Sequence, residues 1–210
     1  MHPLADPKFP ATSPAGNTYP YFQTLLKEWR LAPPSHQAAI EQKLWDTFGQ
    51  TRAILILDMS SFSKTANSQG ILTALAMIQH MNAIAVPQLE AQGGQIVKLE
   101  ADNIFAVFST VDAAVTASFS TFSAVQAEGL NVAIGIGYGP ILLIEDPTQP
   151  HDFFGDEVNL ASKLGEDTAS GGELMITAEA YRQLANPHPD WQQFHLAISG
   201  IEMIAYQWQF

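Results

Sequence analysis

The chain has no cysteine among its 210 residues. A disulfide framework, a thiolate zinc site and a cysteine nucleophile are therefore excluded, and the composition fits a reducing compartment. Basic residues are also scarce, with 9 Lys and Arg against 21 Asp and Glu and a formal net charge of −12. This balance argues against nucleic-acid partners and against docking on anionic lipid, because both need a basic surface.

Long hydrophobic runs are missing as well. No stretch reaches the roughly 18 apolar residues that a membrane span needs, and the N-terminus lacks the basic and apolar regions of a secretory signal. We therefore expect a soluble, cytoplasmic protein without a membrane partner. Hydrophobic residues make up 47% of the chain. At about 150 residues per domain, this length predicts one domain with a buried core plus an extension.

Proline is concentrated at the N-terminus, where residues 1–20 hold five prolines. Such spacing defeats both helix and sheet and predicts a flexible tail. Residues 21–31 and 36–48 carry apolar side chains at helical spacing, and Pro33-Pro34 separates them. We predict a helical extension over residues 21–50 that packs as an appendage or a dimerisation element.

From residue 51 the pattern changes to alternating strands and helices. The predicted strands are 53–57, 95–99, 104–108, 131–138, 141–144, 173–177, 194–198 and 203–209. The predicted helices are about 69–92, kinked or divided at Pro87, then 111–127, 156–168 and 178–184. The first part of this order predicts a split βαβ arrangement, a sheet with helices on one face, and an α/β tail follows it.

Two carboxylates stand at informative places in this order. Asp58 directly follows the first strand, and Asp102 lies at the tip of the predicted hairpin. A split βαβ sheet makes these elements neighbours, so both carboxylates can converge at one edge and suit paired hard cations. From spacing alone, the interpretation of both as turn-forming residues is favoured.

Other candidates are also weak when taken one by one. The small residues after Asp58, including Ser60, Ser61 and Ser63 around Phe62, can present backbone N–H groups to phosphate oxygens. Lys98 lies on a mostly apolar strand, where snorkelling at the sheet edge is the simpler explanation. Asn159, Ser162 and Lys163 share one helix face that by itself is an ordinary polar face.

Together, four ordered motifs resemble the class III nucleotidyl cyclase catalytic domain, the adenylate/guanylate cyclase family. The resemblance covers about residues 51–209. The motifs are AILILDMSSFSK, GGQIVKLEADNIFAVF, VAIGIGYGPI and HDFFGDEVNLASKLGEDTASGGELMIT. It implies an α+β fold with a ferredoxin-like split βαβ palm over residues 51–210, carrying the N-terminal helices as an extension.

The resemblance also implies a mechanism and site roles. Two domains pair head to tail as a homodimer, with sites in the cleft between them. One subunit gives Asp58 and Asp102 to two Mg²⁺ or Mn²⁺ ions, and its loop holds phosphate. The other gives Lys98 and Asp152 to the base, Asn159 to the ribose and Lys163 to the phosphates. The 3′-oxygen attacks the α-phosphate, and pyrophosphate leaves.

The two base-reading positions favour adenine, whose N1 accepts and whose N6 donates a hydrogen bond. Lys98 only donates, and an ionised Asp152 only accepts. Guanylyl members of the family place a Glu at the position of Lys98. The sequence therefore predicts an adenylate cyclase with ATP as its substrate partner, although the signal that activates it stays open.

Three residues depart from the family pattern. Ala101 stands where a Gly usually precedes the second metal Asp, Lys163 replaces the usual Arg, and Ile201 replaces a Lys after Gly200. If Ala101 needs a positive φ, it costs on the order of 1 kcal/mol. The alternatives are a degenerate cyclase fold, used for nucleotide binding or dimerisation, and a cyclase for another base. Because both metal ligands are retained, an active enzyme is the favoured hypothesis.

Overall fold

The computed structural model describes residues 16–60, 62–198 and 200–210, so most of the predicted Pro-rich tail lies outside the described residues. The strands are β1 (Gly49–Met59), β2 (Gln95–Glu100), β3 (Asn103–Phe108), β4 (Val132–Ile144), β5 (Asp152–Phe154), β6 (Glu173–Thr177), β7 (Gln192–Ile198) and β8 (Ile201–Gln209). The α-helices are α1 (Tyr19–Leu31), α2 (Pro34–Phe48), α3 (Phe62–Gln69), α4 (Ile71–Ala91), α5 (Val111–Ala127), α6 (Asp156–Ser162) and α7 (Ala178–Arg182). A π-helical segment, Lys163–Thr168, follows α6 directly.

All eight strands form one sheet in the order β2-β3-β1-β4-β6-β8-β7, with β5 paired to β4. The β4–β6 pair is parallel, and the other pairs are antiparallel. β1, α3 and α4, β2, β3, α5 and β4 form the split βαβ arrangement that the sequence predicts. This confirms the α+β class, and the C-terminal elements extend the same sheet.

The side of the sheet against α4 and α5 holds the main core. Alternation along β1 sends Leu55 and Leu57 to this side, where they pack with Met81 of α4 and Phe122 of α5. All four side chains are fully buried. Pro87 lies inside α4, which continues beyond it to Ala91.

The opposite side of the sheet is also covered, by elements that follow the split βαβ part in the chain. α6, the π-helical segment and β5 pack there, over Ile54, Ile56 and Phe105. Glycines of β4 permit this approach, because a Cβ on Gly135 would lie 2.1 Å from the carbonyl oxygen of Ala161. We call this side the second face.

One predicted break is absent: β4 runs unbroken through Gly139-Pro140. The prediction of two strands, 131–138 and 141–144, is therefore wrong. β4 pairs with β6 over Ile134–Ile136 and with β5 over Leu142–Ile144, and Pro140 lies between those two ladders. A proline is tolerated in such a stretch because a missing N–H removes no ladder hydrogen bond on the unpaired side.

The N-terminal helices form their own small core against the end of β4. Phe22, Leu25, Leu44 and Phe48 pack there with Ile144. Both helices start earlier than predicted, and β1 begins directly after α2 at Gly49. No helix among the described residues is long and apolar enough to cross a membrane.

Candidate active site

The structure brings Asp58 and Asp102 to the same edge of the sheet. In β1, Asp58 follows the alternation of Ile54 and Ile56 and so belongs to the second face. It stands opposite Asn103, the residue after Asp102, and the Met59 N–H donates to the carbonyl of Asp102 at 3.2 Å. The strand register therefore produces the convergence that the sequence predicts.

Like charges crowd this edge. Burial raises the pKa of Asp58 from 3.8 to about 7, and the charges of Asp102 and then Glu166 add to the rise. Burial also raises the pKa of Glu166, and the charge of Asp102 contributes to that rise. Glu166 lies in the π-helical segment and was not singled out by the sequence analysis. The cluster has negative charge in excess, which a bound cation would offset.

The turn before Asp102 is strained. Ala101 has φ 52°, the one non-glycine residue with positive φ in the part of the chain described by the structure. This conformation brings the side chain of an L-residue too close to its own backbone, at a cost of about 1 kcal/mol. Ala101 therefore does need a positive φ, the backbone geometry that glycine adopts most easily, and the predicted cost applies.

Lys98 and Asp152 meet on the second face. The β2–β3 register shifts between Ile96 and Lys98, and Lys98 stands opposite Phe105. The shift is a β-bulge. Strict alternation along β2 would place Lys98 on the same side as Ile96, and the bulge places it on the second face instead. Lys98 Nζ thus lies 4.9 Å from the Phe105 ring centroid and 3.1 Å from Asp152 Oδ1.

This ion pair is partly shielded, with 29% and 24% of the two side chains exposed. Lys98 Nζ also lies 3.2 Å from Glu100 Oε2. Burial alone lowers the pKa of Lys98, but the hydrogen bonds from Lys98 to Asp152 and Glu100 outweigh that effect and raise it. Lys98 is therefore a positively charged hydrogen-bond donor, and the Asp152 carboxylate accepts from it.

The loop after Asp58 leads into the N-terminus of α3. Phe62 is the first residue of that helix and packs against the main core, and Ser63 follows it in the first turn. The first N–H groups of a helix have no partner within the helix, so this turn can present donors to an anion. The Ser60 N–H donates to the carbonyl of Asn131 at 3.0 Å. Ser61 lies outside the described residues.

α6 and the π-helical segment that follows it carry the remaining two predicted residues. Asn159 is exposed on its outer side, and Lys163 is half-buried where the π-helical segment starts. Glu157 fixes the helix, because its carboxylate accepts from the Thr177 hydroxyl at 2.7 Å and the Tyr138 N–H at 3.1 Å. Asn159 therefore presents its amide on a fixed helix and away from its own sheet.

Within the described residues, no three His, Asp or Glu side chains converge closely enough to hold a metal ion by themselves. Asp58 and Asp102 supply two carboxylates at one edge of the sheet. This fits Mg²⁺-type ions, which bind through one or two carboxylates together with substrate phosphates and water.

Comparison with known proteins identifies the family. The model of the adenylate and guanylate cyclase catalytic domain matches residues 53–205. The chain therefore belongs to this family, and it is a nucleotidyl cyclase domain.

An uncharacterized protein of Mycobacterium tuberculosis is 30% identical over 145 residues, or 67% of this chain and 35% of the relative. The adenylate cyclase of Schizosaccharomyces pombe is 32% identical over 128 residues, or 49% of this chain and 8% of that enzyme. The chain thus spans about a third or less of these relatives.

Solved structures of both substrate types share the fold. The guanylate cyclase domain of RhGC from Catenaria anguillulae, in complex with GTP, has a TM-score of 0.64 and 18% identity, covering 75% of this chain and 95% of that one. The adenylyl cyclase CyaB from P. aeruginosa has a TM-score of 0.61 and 20% identity, covering 76% and 94%. The fold is therefore compatible with either ATP or GTP as the substrate, and the residues of this chain's own base pocket decide between them.

Proposed function

We propose that this chain is a cytoplasmic adenylate cyclase domain that converts ATP to 3′,5′-cyclic AMP and pyrophosphate at sites shared by a head-to-tail homodimer. The observation that carries the proposal is the partly shielded ion pair of Lys98 with Asp152, whose Nζ and Oδ1 atoms lie 3.1 Å apart. A fixed donor beside a fixed acceptor is the arrangement that reads one edge of a base.

Adenine matches this pair. Its N1 accepts from Lys98, and its N6 amino group donates to Asp152. Guanine presents the reverse, an N1–H and an O6 acceptor, so both contacts would set like against like. Since a site built on buried hydrogen bonds rejects a base that leaves them unpaired, we expect ATP to be used in preference to GTP.

Asp58 and Asp102 are proposed to hold two Mg²⁺ or Mn²⁺ ions with the nucleotide. When bound, such ions lower the pKa of the ribose 3′-hydroxyl and neutralise phosphate charge. The raised pKa of Asp58 supports this assignment, because a carboxylate destabilised by burial and by like charges gains most from a cation. Cation binding also explains how a chain of net charge −12 accommodates a polyanion.

The resemblance assigns the ribose to Asn159 and the α-phosphate to Lys163. Lys163 stabilises the additional negative charge that develops on the phosphate in the transition state. An ammonium is a point charge, whereas the guanidinium of the usual Arg binds phosphate through two parallel hydrogen bonds. We therefore expect a slower chemical step than in family members with Arg. The first turn of α3, with Ser60 to Ser63, is proposed to hold the other phosphates.

Two features support a shared site. Asn159 points away from its own sheet into solvent, where a second subunit can be reached. The start of α4 exposes Ile71, Leu72 and Leu75 at 56%, 80% and 47%. Adjacent exposed apolar side chains of this size are typical of an interface.

The direct test is incubation of the purified chain with each of the four nucleoside triphosphates and Mn²⁺, with the products identified by mass spectrometry. Cyclic AMP as the main product supports the proposal, and preference for another triphosphate contradicts the base assignment. Nucleotide binding without any product would favour a degenerate binding module, to which Lys163 and Ile201 both point.

Site sharing has its own test. Asp58→Ala and Asn159→Ala chains, each inactive alone, should complement each other when mixed. With random pairing, about half of the dimers contain one chain of each variant. Each mixed dimer has one intact site out of two, so about a quarter of wild-type activity should return. No recovery, despite measured subunit exchange, would contradict the shared site.

A further inference from the structure

A cavity of about 230 Å³ lies beside the proposed base-reading pair. It is lined by Tyr19, Lys98, Gln149, Pro150, His151 and Asp152. Sites for whole drug-sized ligands measure roughly 300–1,000 Å³, so this cavity suits one ring system of a nucleotide. Five of the lining residues belong to the cyclase domain, but Tyr19 comes from the N-terminal helical extension, outside the family match of residues 53–205.

The extension is held at this cavity by directed hydrogen bonds. The buried Asn17 donates through Nδ2 to the carbonyl of Leu143 at 3.0 Å, and its Oδ1 accepts from the Glu145 N–H at 2.9 Å. The Tyr19 N–H donates to Asp146 Oδ2 at 2.9 Å. Hydrogen bonds from Thr148 and then from Tyr19 hold the pKa of Asp146 below its ordinary value, so this anchor is ionised.

Aromatic packing fixes the same end of α1 from the other side. The ring of Phe22 stacks on Phe154, the last residue of β5, with centroids 5.5 Å apart and planes 5° apart. Asp152 is the first residue of that three-residue strand. The start of α1 is therefore attached at both ends of the segment that leads to and carries Asp152, through Tyr19 at Asp146 and through Phe22 at Phe154.

We propose that Tyr19 is a base-contacting residue, so that the N-terminal extension completes the base pocket of the cyclase domain. Lys98 and Asp152 contact the edge of the base and leave its apolar faces to be covered. Tyr19 carries the larger of the two aromatic rings in the cavity lining, the other being the His151 imidazole, and it supplies such a surface. The inference rests on the proposed function in one respect, which is that the cavity receives the base of the nucleotide.

The test compares full-length Tyr19→Ala, Tyr19→Phe and the control Trp29→Ala. Trp29 is an aromatic residue of the same helix, 39% exposed, and is not part of the cavity lining. For each variant the kcat and KM for ATP are measured, together with the Kd of adenosine 5′-[α,β-methylene]triphosphate and the inhibition constant of tripolyphosphate. The analogue reports base binding without turnover, and tripolyphosphate has no base.

Loss of a stacked aromatic ring weakens base binding about 5- to 100-fold. We expect Tyr19→Ala to raise KM and Kd within that range, with kcat changed less than KM. Tyr19→Phe and Trp29→Ala should stay within about twofold of wild type. Tripolyphosphate inhibition should not change in any variant, because the phosphates do not contact Tyr19.

Other results overturn the inference. Equal losses in Tyr19→Ala and Trp29→Ala, or a parallel loss of tripolyphosphate binding, would show that Tyr19 only holds the fold. Unchanged KM and Kd in Tyr19→Ala, with wild type making cyclic AMP, would reject Tyr19 and leave the proposed function standing. If wild type binds the analogue but makes no cyclic nucleotide, the proposed function fails, whereas a Kd raised in Tyr19→Ala alone still supports the base contact.

Discussion

The two halves of the proposed site handle charge in opposite ways. At the carboxylate edge, burial and then the charges of neighbouring carboxylates raise the pKa values of Asp58 and Glu166. At the base-reading end, Lys98 is already paired with Asp152 and Glu100. The carboxylate edge is destabilised in the absence of a bound cation. The base-reading end is preorganised by an ion pair whose hydrogen bonds a bound base must replace. The difference indicates that cation binding adds stability while base binding exchanges one set of hydrogen bonds for another.

The largest effect is expected from removing a charge at the carboxylate edge. Asp58→Asn or Asp102→Asn should lower kcat by about 100-fold or more, because the remaining ligand cannot hold both cations and several kcal/mol of charge stabilisation are lost. Turnover with Mn²⁺ is the measurement, and Asp46→Asn on the exposed face of α2 is the matched control. Activity near wild type in either site variant would contradict the two-carboxylate site.

The base-reading end should instead change its preference. Each unpaired contact costs about 1–3 kcal/mol, so wild type should prefer ATP over GTP at least tenfold in kcat/KM. Lys98→Glu combined with Asp152→Ser exchanges donor for acceptor and should move the preference toward GTP. Steady-state kinetics with both nucleotides check this, with the exposed Lys43→Glu as control. A double variant that stays selective for ATP would show that other residues read the base.

The raised pKa of Asp58, caused first by burial and then by neighbouring charges, should also appear in stability. Between the ordinary Asp pKa of 3.8 and the raised value of about 7, the folded protein binds more protons than the unfolded chain. The free energy of unfolding therefore falls as pH rises through this window. At pH 7.5 and without divalent ions, Asp58→Asn should stabilise by about 1 kcal/mol, or about 2–4 °C in Tm.

Two comparisons sharpen that measurement. The stabilisation by Asp58→Asn should shrink as the pH falls toward 4, because Asp58 is then protonated in the folded wild type and partly protonated in the unfolded chain. Mg²⁺ or Mn²⁺ should raise the Tm of wild type more than that of Asp58→Asn. If the Tm difference between Asp58→Asn and wild type does not depend on pH, the pKa of Asp58 is not raised in the folded protein.

The smallest effect concerns the turn that positions Asp102. Ala101→Gly relieves the strain of φ 52°, but the gain of about 1 kcal/mol is partly offset by the greater freedom of glycine in the unfolded chain. We expect a net change between 0 and about 0.5 kcal/mol in favour of the variant. Ala38→Gly, on the exposed side of α2, should instead destabilise by about 0.5–1 kcal/mol. Equal losses in both variants would show that Ala101 is not strained.

The helices and strands were largely predictable because they follow from local patterns. Apolar residues at helical spacing predicted α1 and α2, and a continuous run of apolar residues predicted the strand before Asp58. The break predicted at Gly139-Pro140 was wrong because proline disrupts a strand only where its N–H is needed, and that depends on which strands lie beside β4. The same limit applies to the second face, since nothing local to α6 reveals that glycines of β4 leave room for it.

The site divides in the same way. The sequence by itself determined the residue types, the order of the motifs and the antiparallel hairpin that places Asp102 beside Asp58. Only the tertiary structure decided that a bulge turns Lys98 toward Asp152, that Glu166 joins the acidic cluster, and that Tyr19 reaches Asp146 across 127 residues. Periodicity and turn chemistry act over a few residues and can be read along the chain. Register shifts and contacts between distant segments are fixed by packing, which no local pattern records.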